Sequence, residues 1–452
     1  MKNTLWLLGF GWLFTLMLSA QPSTTGSSYS FTLDEAIEYA LENNYQSINA
    51  RREVAKAIKK KWETTATGLP QINANVDYQN RLKQPVSLLP GEVVGGEPGT
   101  FVPVVFGTEQ QLGLTATLSQ LIFDGSYLVG LQAAKTFLNY THNLEEKAKL
   151  EIRKGVINAY GSVLLANESV LILKNNKEAL EKNLHETLKI FENGLAEEED
   201  VEQLQITLAQ ITNQLSNADR LAKIALEMLN LSLGIDINSN VTLTDDLESL
   251  VMQNIDINFT KQAFNIENNI DYKIAYTFTE QRHLELKLEK SRALPSINAF
   301  VNYGTIAYDN EFVFFDSDTR WFQSSILGVG INIPIFSSLG RSAKTQQARI
   351  ALDQANTEFL ETQQKINLEL NRAKSDYQFA IENYETSKKN LTLAERIEKK
   401  NQIKYSEGLA TSFEFRQAQL QLYSSQQEVL QAMLDIINKR AALEIILNIP
   451  NQ

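Results

Sequence analysis

The chain has 452 residues, 42 lysines and arginines against 54 acids, a net charge of −12, and hydrophobic residues at 43%. That length allows more than one domain and a substantial core, and the composition excludes wholesale disorder. The acidic balance argues against nucleic-acid binding, the lack of cysteine removes disulfides and thiolate metal sites, and only three scattered histidines occur (His142, His185, His283), so neither catalysis nor a bound cofactor or metal is expected.

At the amino terminus Lys2 precedes a mostly apolar run from Leu5 to Leu18, closed by Ser19-Ala20 and followed by polar residues. A basic start, a short apolar region and a small residue mark 1–20 as a secretory signal. A retained anchor is the alternative, but the run is shorter than the roughly 17 residues needed to span. The mature chain, 21–452, is therefore expected to be exported. A helix is expected over about 33–65. Prolines then cluster at 70, 85, 90, 98 and 103, whereas none lies between Pro103 and Pro295 or between Pro334 and Pro450. Proline costs about 3 kcal/mol inside a helix, so the empty stretches are where long helices can run.

Residues 71–79 alternate, with Ile72, Ala74, Val76 and Tyr78 facing one way and polar residues the other. After a Pro- and Gly-rich loop at 83–111, residues 112–119 alternate again through Leu112, Leu114, Ala116 and Leu118. Residues 296–304 do the same, broken only by Phe300. An aromatic-rich loop at 305–325 separates them from 327–335, where Leu327, Val329, Ile331, Ile333 and Ile335 share a face. Period-2 alternation suits a half-buried strand of a soluble sheet, and equally a barrel strand with lipid outside and water inside. Four such strands in an exported chain favour the barrel.

Long helices are expected from about Ser126 to Glu192 and from about Arg341 to Tyr405, each roughly 100 Å at 1.5 Å per residue. Shorter helices follow each of them. Val201, Leu208, Leu215, Ala222 and Leu229 are spaced by seven, as are Phe415, Leu422, Val429, Ile436 and Leu443. A sustained heptad predicts a left-handed coiled-coil seam. Ile366, Leu370, Ala373, Tyr377, Ala380 and Tyr384 give the second long helix its own seam, by their alternating four-and-three spacing.

The chain repeats itself: Leu69-Pro70-Gln-Ile-Asn-Ala74 returns as Leu294-Pro295-Ser-Ile-Asn-Ala299, and FENGLA at 191–196 matches YSEGLA at 405–410. Two tandem repeats are thus expected, about 31–233 and about 260–448, each reading helix, strand, strand, long helix, helix. Four strands cannot close a membrane barrel, since the smallest have about eight, and an open edge in lipid leaves backbone groups unpaired. Closure demands an oligomer.

The segments FTLDEAIEYALENN (31–44), LSQLIFDG (118–125) and IPIF (333–336), with the two Gly-Leu-Ala turns, resemble the TolC-type outer-membrane efflux proteins in the same order along the chain. The resemblance covers 31–448. It implies a mainly α fold with a small β part: long antiparallel coiled-coil helices forming an α-barrel, continued by a trimeric, 12-stranded transmembrane β-barrel with four strands per chain. It also implies a homotrimer in the outer membrane that extends into the periplasm and docks, through a periplasmic adaptor, to an inner-membrane transporter. The function it implies is a passive exit duct for small molecules, including drugs and toxic compounds. A type I protein-secretion duct shares the fold, and an exported coiled-coil scaffold that does not insert in a membrane is the reading of a different class.

On this resemblance the adaptor-docking turns are Gly194, Leu195 and Ala196 with Gly408, Leu409 and Ala410. Tyr405, three residues before the second turn glycine, matches a periplasmic gate tyrosine. Glu414 stands where the family often has an aspartate, and Asp200 holds the corresponding place in the first copy. The family's further acid is replaced here by Gln417, and its basic partner by Ala410. A glycine ending a helix and an acid in a helix's first turn also have purely local explanations.

Overall fold

The computed structural model describes residues 28–194 and 196–448; the expected signal segment and Leu195 lie outside the described residues. In chain order, β1 (Ser28–Phe31) leads into α1 (Leu33–Asn43), α2 (Tyr45–Ala66) and β2 (Gln71–Asn80). A hairpin of β3 (Val86–Pro90) and β4 (Phe101–Val105), bridged by the single-turn α3 (Gly91–Val94), precedes β5 (Gln110–Asp124). The 68-residue α4 (Gly125–Glu192) and the 36-residue α5 (Glu198–Leu233) follow, then β6 (Asn240–Leu243), α6 (Leu247–Asn254) and α7 (Ile270–Ser291). The chain completes with β7 (Ser296–Asp309), β8 (Trp321–Asn332), the 67-residue α8 (Gly340–Ser406) and α9 (Ser412–Leu447). Both long helices start and stop within a residue of the expected bounds.

The chain divides into two compact units, the first comprising 28–47, 151–262 and 373–443. Here the expected seams are the core. Val201, Leu204, Ile211, Ala218 and Leu229 are buried, as are Phe415, Val429, Ile436 and Leu443. Leu173 and Leu180 of α4 pack with Leu204, Ile211 and Ala218 of α5. Asn176 donates to Gln426 Oε1 at 2.9 Å, a polar contact between α4 and α9 that pins axial register better than apolar seam residues do. Lys439, at a seam position of α9, reaches Asp376 of α8 at 3.1 Å.

Three features of this unit were absent from the sequence reading. The single helix expected over 33–65 is two, because Asn44 is extended (φ −60°, ψ 138°). Its side-chain oxygen accepts from Gln46 N–H at 2.7 Å and its amide donates to the Ser232 carbonyl at 2.7 Å, so one side chain starts α2 and ties it to α5. Gly234 closes α5 at φ +82°, where a Cβ would stand 2.3 Å from the Asn43 carbonyl oxygen. Finally, β1 and β6 form a parallel pair, clamped by Tyr160: its hydroxyl lies 3.0 Å from the Phe31 carbonyl and 2.9 Å from Asp245 Oδ2.

The second unit comprises 48–150, 263–372 and 444–448. Its centre is a four-stranded antiparallel sheet in the order β2-β5-β7-β8. The register aligns the expected apolar positions: Ile72, Leu118 and Val301 with Leu327 on one rung, Val76 and Leu114 on another. One face therefore carries Ile72, Val76, Leu114, Leu118, Leu327, Val329 and Ile331, all exposed; the other carries Asn73, Asn75, Asp77, Thr115, Thr117 and Asn298. All four helices of this unit that join the sheet meet the same end of it, and the loops 81–109 and 310–320 lie at the other.

Two expectations about the strands need correction. The segment 327–335 is not the strand; β8 begins at Trp321 and ends at Asn332, because Pro334 has no N–H to give the ladder. Correspondingly β7 runs on to Asp309, and the loop expected at 305–325 shrinks to 310–320. Mixed residues such as Thr305, Gln323 and Ser325 hid the continuing alternation. The loop at 83–111 is likewise not structureless, since it holds the β3–β4 hairpin. In its aromatic counterpart Phe314 is buried with Leu112 and Ala307, while Phe312, edge-on to Tyr78 at 5.5 Å, and Phe315 are exposed.

Candidate functional site

The residues singled out in the sequence fall at the two turns that join α4 to α5 and α8 to α9, both within the first unit. Gly408 ends α8 in the left-handed region (φ +70°), with its N–H donating to the Tyr405 carbonyl at 3.0 Å and Leu409 N–H reaching back to the Lys404 carbonyl at 2.7 Å. This doubly bonded ending satisfies carbonyls that the helix would otherwise leave unpaired. Gly194, at the end of α4, is also left-handed (φ +75°), with its N–H on the Phe191 carbonyl at 2.8 Å. Nothing lies within 4 Å of where a Cβ would stand at either glycine, so backbone conformation rather than crowding selects glycine at both. Leu409 is 77% exposed, a large apolar side chain presented to solvent at the apex.

The acids beyond the turns share one geometry. Glu414 accepts from Thr411 N–H at 2.9 Å, while Thr411 Oγ1 accepts from Glu414 N–H at 3.2 Å. In the first copy Asp200 Oδ2 accepts from Glu197 N–H at 3.3 Å. Each acid therefore sits at the third position of its helix, closing a reciprocal cap. Hydrogen bonds from Thr411, backbone first and then side chain, hold the Glu414 carboxyl below its ordinary range, with Lys404 adding a smaller pull. The pattern Thr411-x-x-Glu414 was legible in the sequence as a helix start, a signal the family resemblance obscured. Gln417 is exposed one turn further on.

Tyr405 is half-buried between the two hairpin arms. Its ring stacks on Phe415 of α9 (centroids 5.3 Å apart, planes 17° apart), and its hydroxyl lies 3.5 Å from the hydroxyl of Thr187 on α4. Burial pushes its phenol up, and the nearby Asp200 charge adds to the rise. A cavity of about 270 Å³ opens beside it, lined among others by Asn183, Glu186, Thr187, Gln402 and Phe415. Thus Tyr405 lies near enough to Asp200 to feel its charge, while Asp200 and Glu414 are each engaged by their own helix caps. Thr187 and Phe415 were not foreseen; a buried threonine and a seam phenylalanine carry no sequence mark of contact with a distant tyrosine. Among the described residues no group of acids and histidines is arranged to hold a metal ion.

The family model described as outer membrane efflux protein matches residues 36–235 and 277–448. No curated protein matches the sequence. Among solved structures, the outer membrane protein VceC of Vibrio cholerae superposes with a TM-score of 0.72 at 16% identity, covering 92% of this chain and 95% of that one. The CmeC outer membrane channel of Campylobacter jejuni gives 0.71 at 15% identity, over 92% and 85%. The MtrE outer membrane channel of Neisseria gonorrhoeae gives 0.69 at 17% identity, over 92% and 88%. At such identities these likenesses establish the fold.

Proposed function

Because the chain belongs to the outer membrane efflux protein family, channels of the outer membrane rather than enzymes, we propose that it is the passive exit duct of a tripartite export system for small molecules. In this reading three copies close a twelve-stranded barrel, and the long helices wall the periplasmic part of the duct. The sheet supports the barrel most directly. Its edge strands β2 and β8 each leave one side unpaired, and one face is apolar and exposed while the other is polar. Lipid tolerates no open edge, and alternating faces are what a wall between lipid and water requires.

Docking to a periplasmic adaptor and, through it, to an inner-membrane transporter is assigned to the Gly194 and Gly408 turns, where Leu409 projects into solvent. Leu195 and Ala196 would present the first turn, Leu409 and Ala410 the second. Tyr405 with Asp200 forms the gate in this reading, with Glu414 beside it. The deciding experiment is export by cells carrying Leu409→Asp together with Ala196→Asp. Docking at the turns predicts abolished export and loss of the adaptor from pull-downs, with normal amounts of heat-modifiable oligomer in the outer membrane. Normal export by this variant would leave the turns as helix ends only.

A further inference from the structure

The helix ends that meet the sheet carry charge quite unlike the rest of the chain. Eleven residues from each of the four, 56–66, 125–135, 282–292 and 340–350, hold twelve lysines and arginines against three acids, Glu63, Glu285 and Glu289. The whole chain is at −12. Each of these segments is about 16 Å of helix, at 1.5 Å per residue, at the helix end nearest the sheet. At the opposite end, the loop segments 81–109 and 310–320 reverse the sign, with six acids against Arg81, Lys83 and Arg320, and Asp309 at the end of β7 adds a seventh. A sheet whose exposed face is apolar thus separates a basic collar from an acidic one.

The apolar surface continues to that basic collar. Beyond β8, Ile333, Ile335, Phe336 and Leu339 are exposed, Ile335 at 88%, and they carry the lipid-suited surface down to the first turn of α8. Leu69 and Leu294 do the same beside β2 and β7. Just below stands the run Lys59-Lys60-Lys61-Trp62 of α2, with the indole 62% exposed. Exposed tryptophan beside lysines is the combination found at the headgroup level, where a ring sits in the interface and long basic side chains reach phosphate. Between α2, α4 and α7 lies a groove of about 530 Å³ whose lining includes Gly130, Ala133, Phe137 and Phe278, with the charged residues Lys60, Arg282 and Glu285. The Arg282 guanidinium stands 5.0 Å from the Phe278 ring centre and pairs with Glu285 at 2.7 Å, and Lys60 pairs with Glu63 at 3.0 Å, exposed ion pairs that a phosphate can exchange with.

We infer that this collar is a binding surface for anionic phospholipid in the leaflet on the helix side of the sheet, with lysines 59–61 and Arg282 on the phosphates and the groove receiving the start of an acyl chain. Neutral lipid would gain nothing from the clustered charge, whereas an anionic headgroup is attracted by each lysine in turn. The inference rests on the membrane-inserted sheet but not on docking or cargo, so its readout is lipid rather than export. The purified protein is reconstituted in nanodiscs of phosphatidylglycerol and phosphatidylcholine, extracted in mild detergent, and its retained lipid measured by native mass spectrometry. Preferential retention of phosphatidylglycerol is expected. It should fall by roughly five-fold per lysine removed, on the order of a hundred-fold for Lys59→Gln, Lys60→Gln and Lys61→Gln combined, with oligomer yield unchanged. A second variant, Glu92→Gln with Glu97→Gln in the opposite loops, should leave retention as it was. Equal retention of the two lipids would overturn the assignment. So would a triple variant that keeps its phosphatidylglycerol but conducts anions less well, because the lysines would then face the water-filled side.

Discussion

Tyr160 is the residue whose loss the fold should feel most. It is fully buried, and its hydroxyl bridges the β1 carbonyl of Phe31 and the Asp245 carboxylate, which also accepts from Leu33 N–H at 2.7 Å. Tyr160→Phe removes the donor and leaves those acceptors desolvated, at a cost of about 2 kcal/mol. Denaturant unfolding of the purified protein should report it. Tyr423 makes a pH prediction. Burial, with the Glu398 charge second, pushes its phenol up to about 12. The folded protein holds that proton more tightly than the unfolded chain does, so its contribution is intact below about pH 10 and is lost as pH rises toward 12. Tyr423→Phe should blunt the fall in thermal stability across that window, leaving the profile below pH 9 unchanged.

For the elements, the two faces of β2 separate cleanly. Val76 belongs to the apolar rungs and Asn75 to the polar ones. Val76→Lys should cost about 2–4 kcal/mol of folding in a bilayer, as lipid-facing charge does near the midplane. Asn75→Lys, one residue away, should leave stability nearly unchanged and shift ion preference toward anions in planar-bilayer recordings. If the two variants behave alike, the face assignment is wrong. At the start of α9, Thr411→Ala breaks the reciprocal cap and should cost about 1 kcal/mol. It removes the hydroxyl bond to the Glu414 carboxylate but leaves the stronger one from the backbone N–H of residue 411. Should Glu414 serve the gate as well as the cap, Glu414→Gln will weaken cation preference; a cap role alone predicts a small stability loss and no change in selectivity.

Assembly is the whole-molecule question. Each chain offers one free edge at β2 and another at β8. Pairing β8 of one copy with β2 of the next repeats around a ring, and a ring leaves no edge exposed to lipid. Detergent-extracted protein is therefore expected to run as a heat-modifiable trimer. Proline substitutions at β2 positions whose N–H points outward, away from β5, should lower the trimer yield while leaving the helical signal in circular dichroism. A monodisperse monomer that retained its β signal would remove the basis for a shared barrel.

Much of this was written in local pattern. The absence of proline bounded α4 and α8 nearly to the residue, and heptad spacing placed α5 and α9 after them, because a helix's seam and its breakers are both local properties. Alternation determined which residues of β2 and β5 share a face. The turn glycines Gly194 and Gly408 were legible too, since a glycine after a helical stretch is the commonest left-handed helix ending and depends on the local backbone alone. Tertiary structure decided what local pattern could not hold. Asn44 breaks a helix because its side chain has partners on both sides, one of them 188 residues away. β7 and β8 lengthen because each supplies hydrogen bonds the other needs, even where their side chains stop alternating. Tyr405 meets Thr187, 218 residues away, only because α8 folds against α4, and the strand order that leaves β2 and β8 as edges exists in no segment of sequence. Contacts between residues hundreds apart cost chain entropy that only the completed core offsets, so they are properties of the fold rather than of any stretch within it.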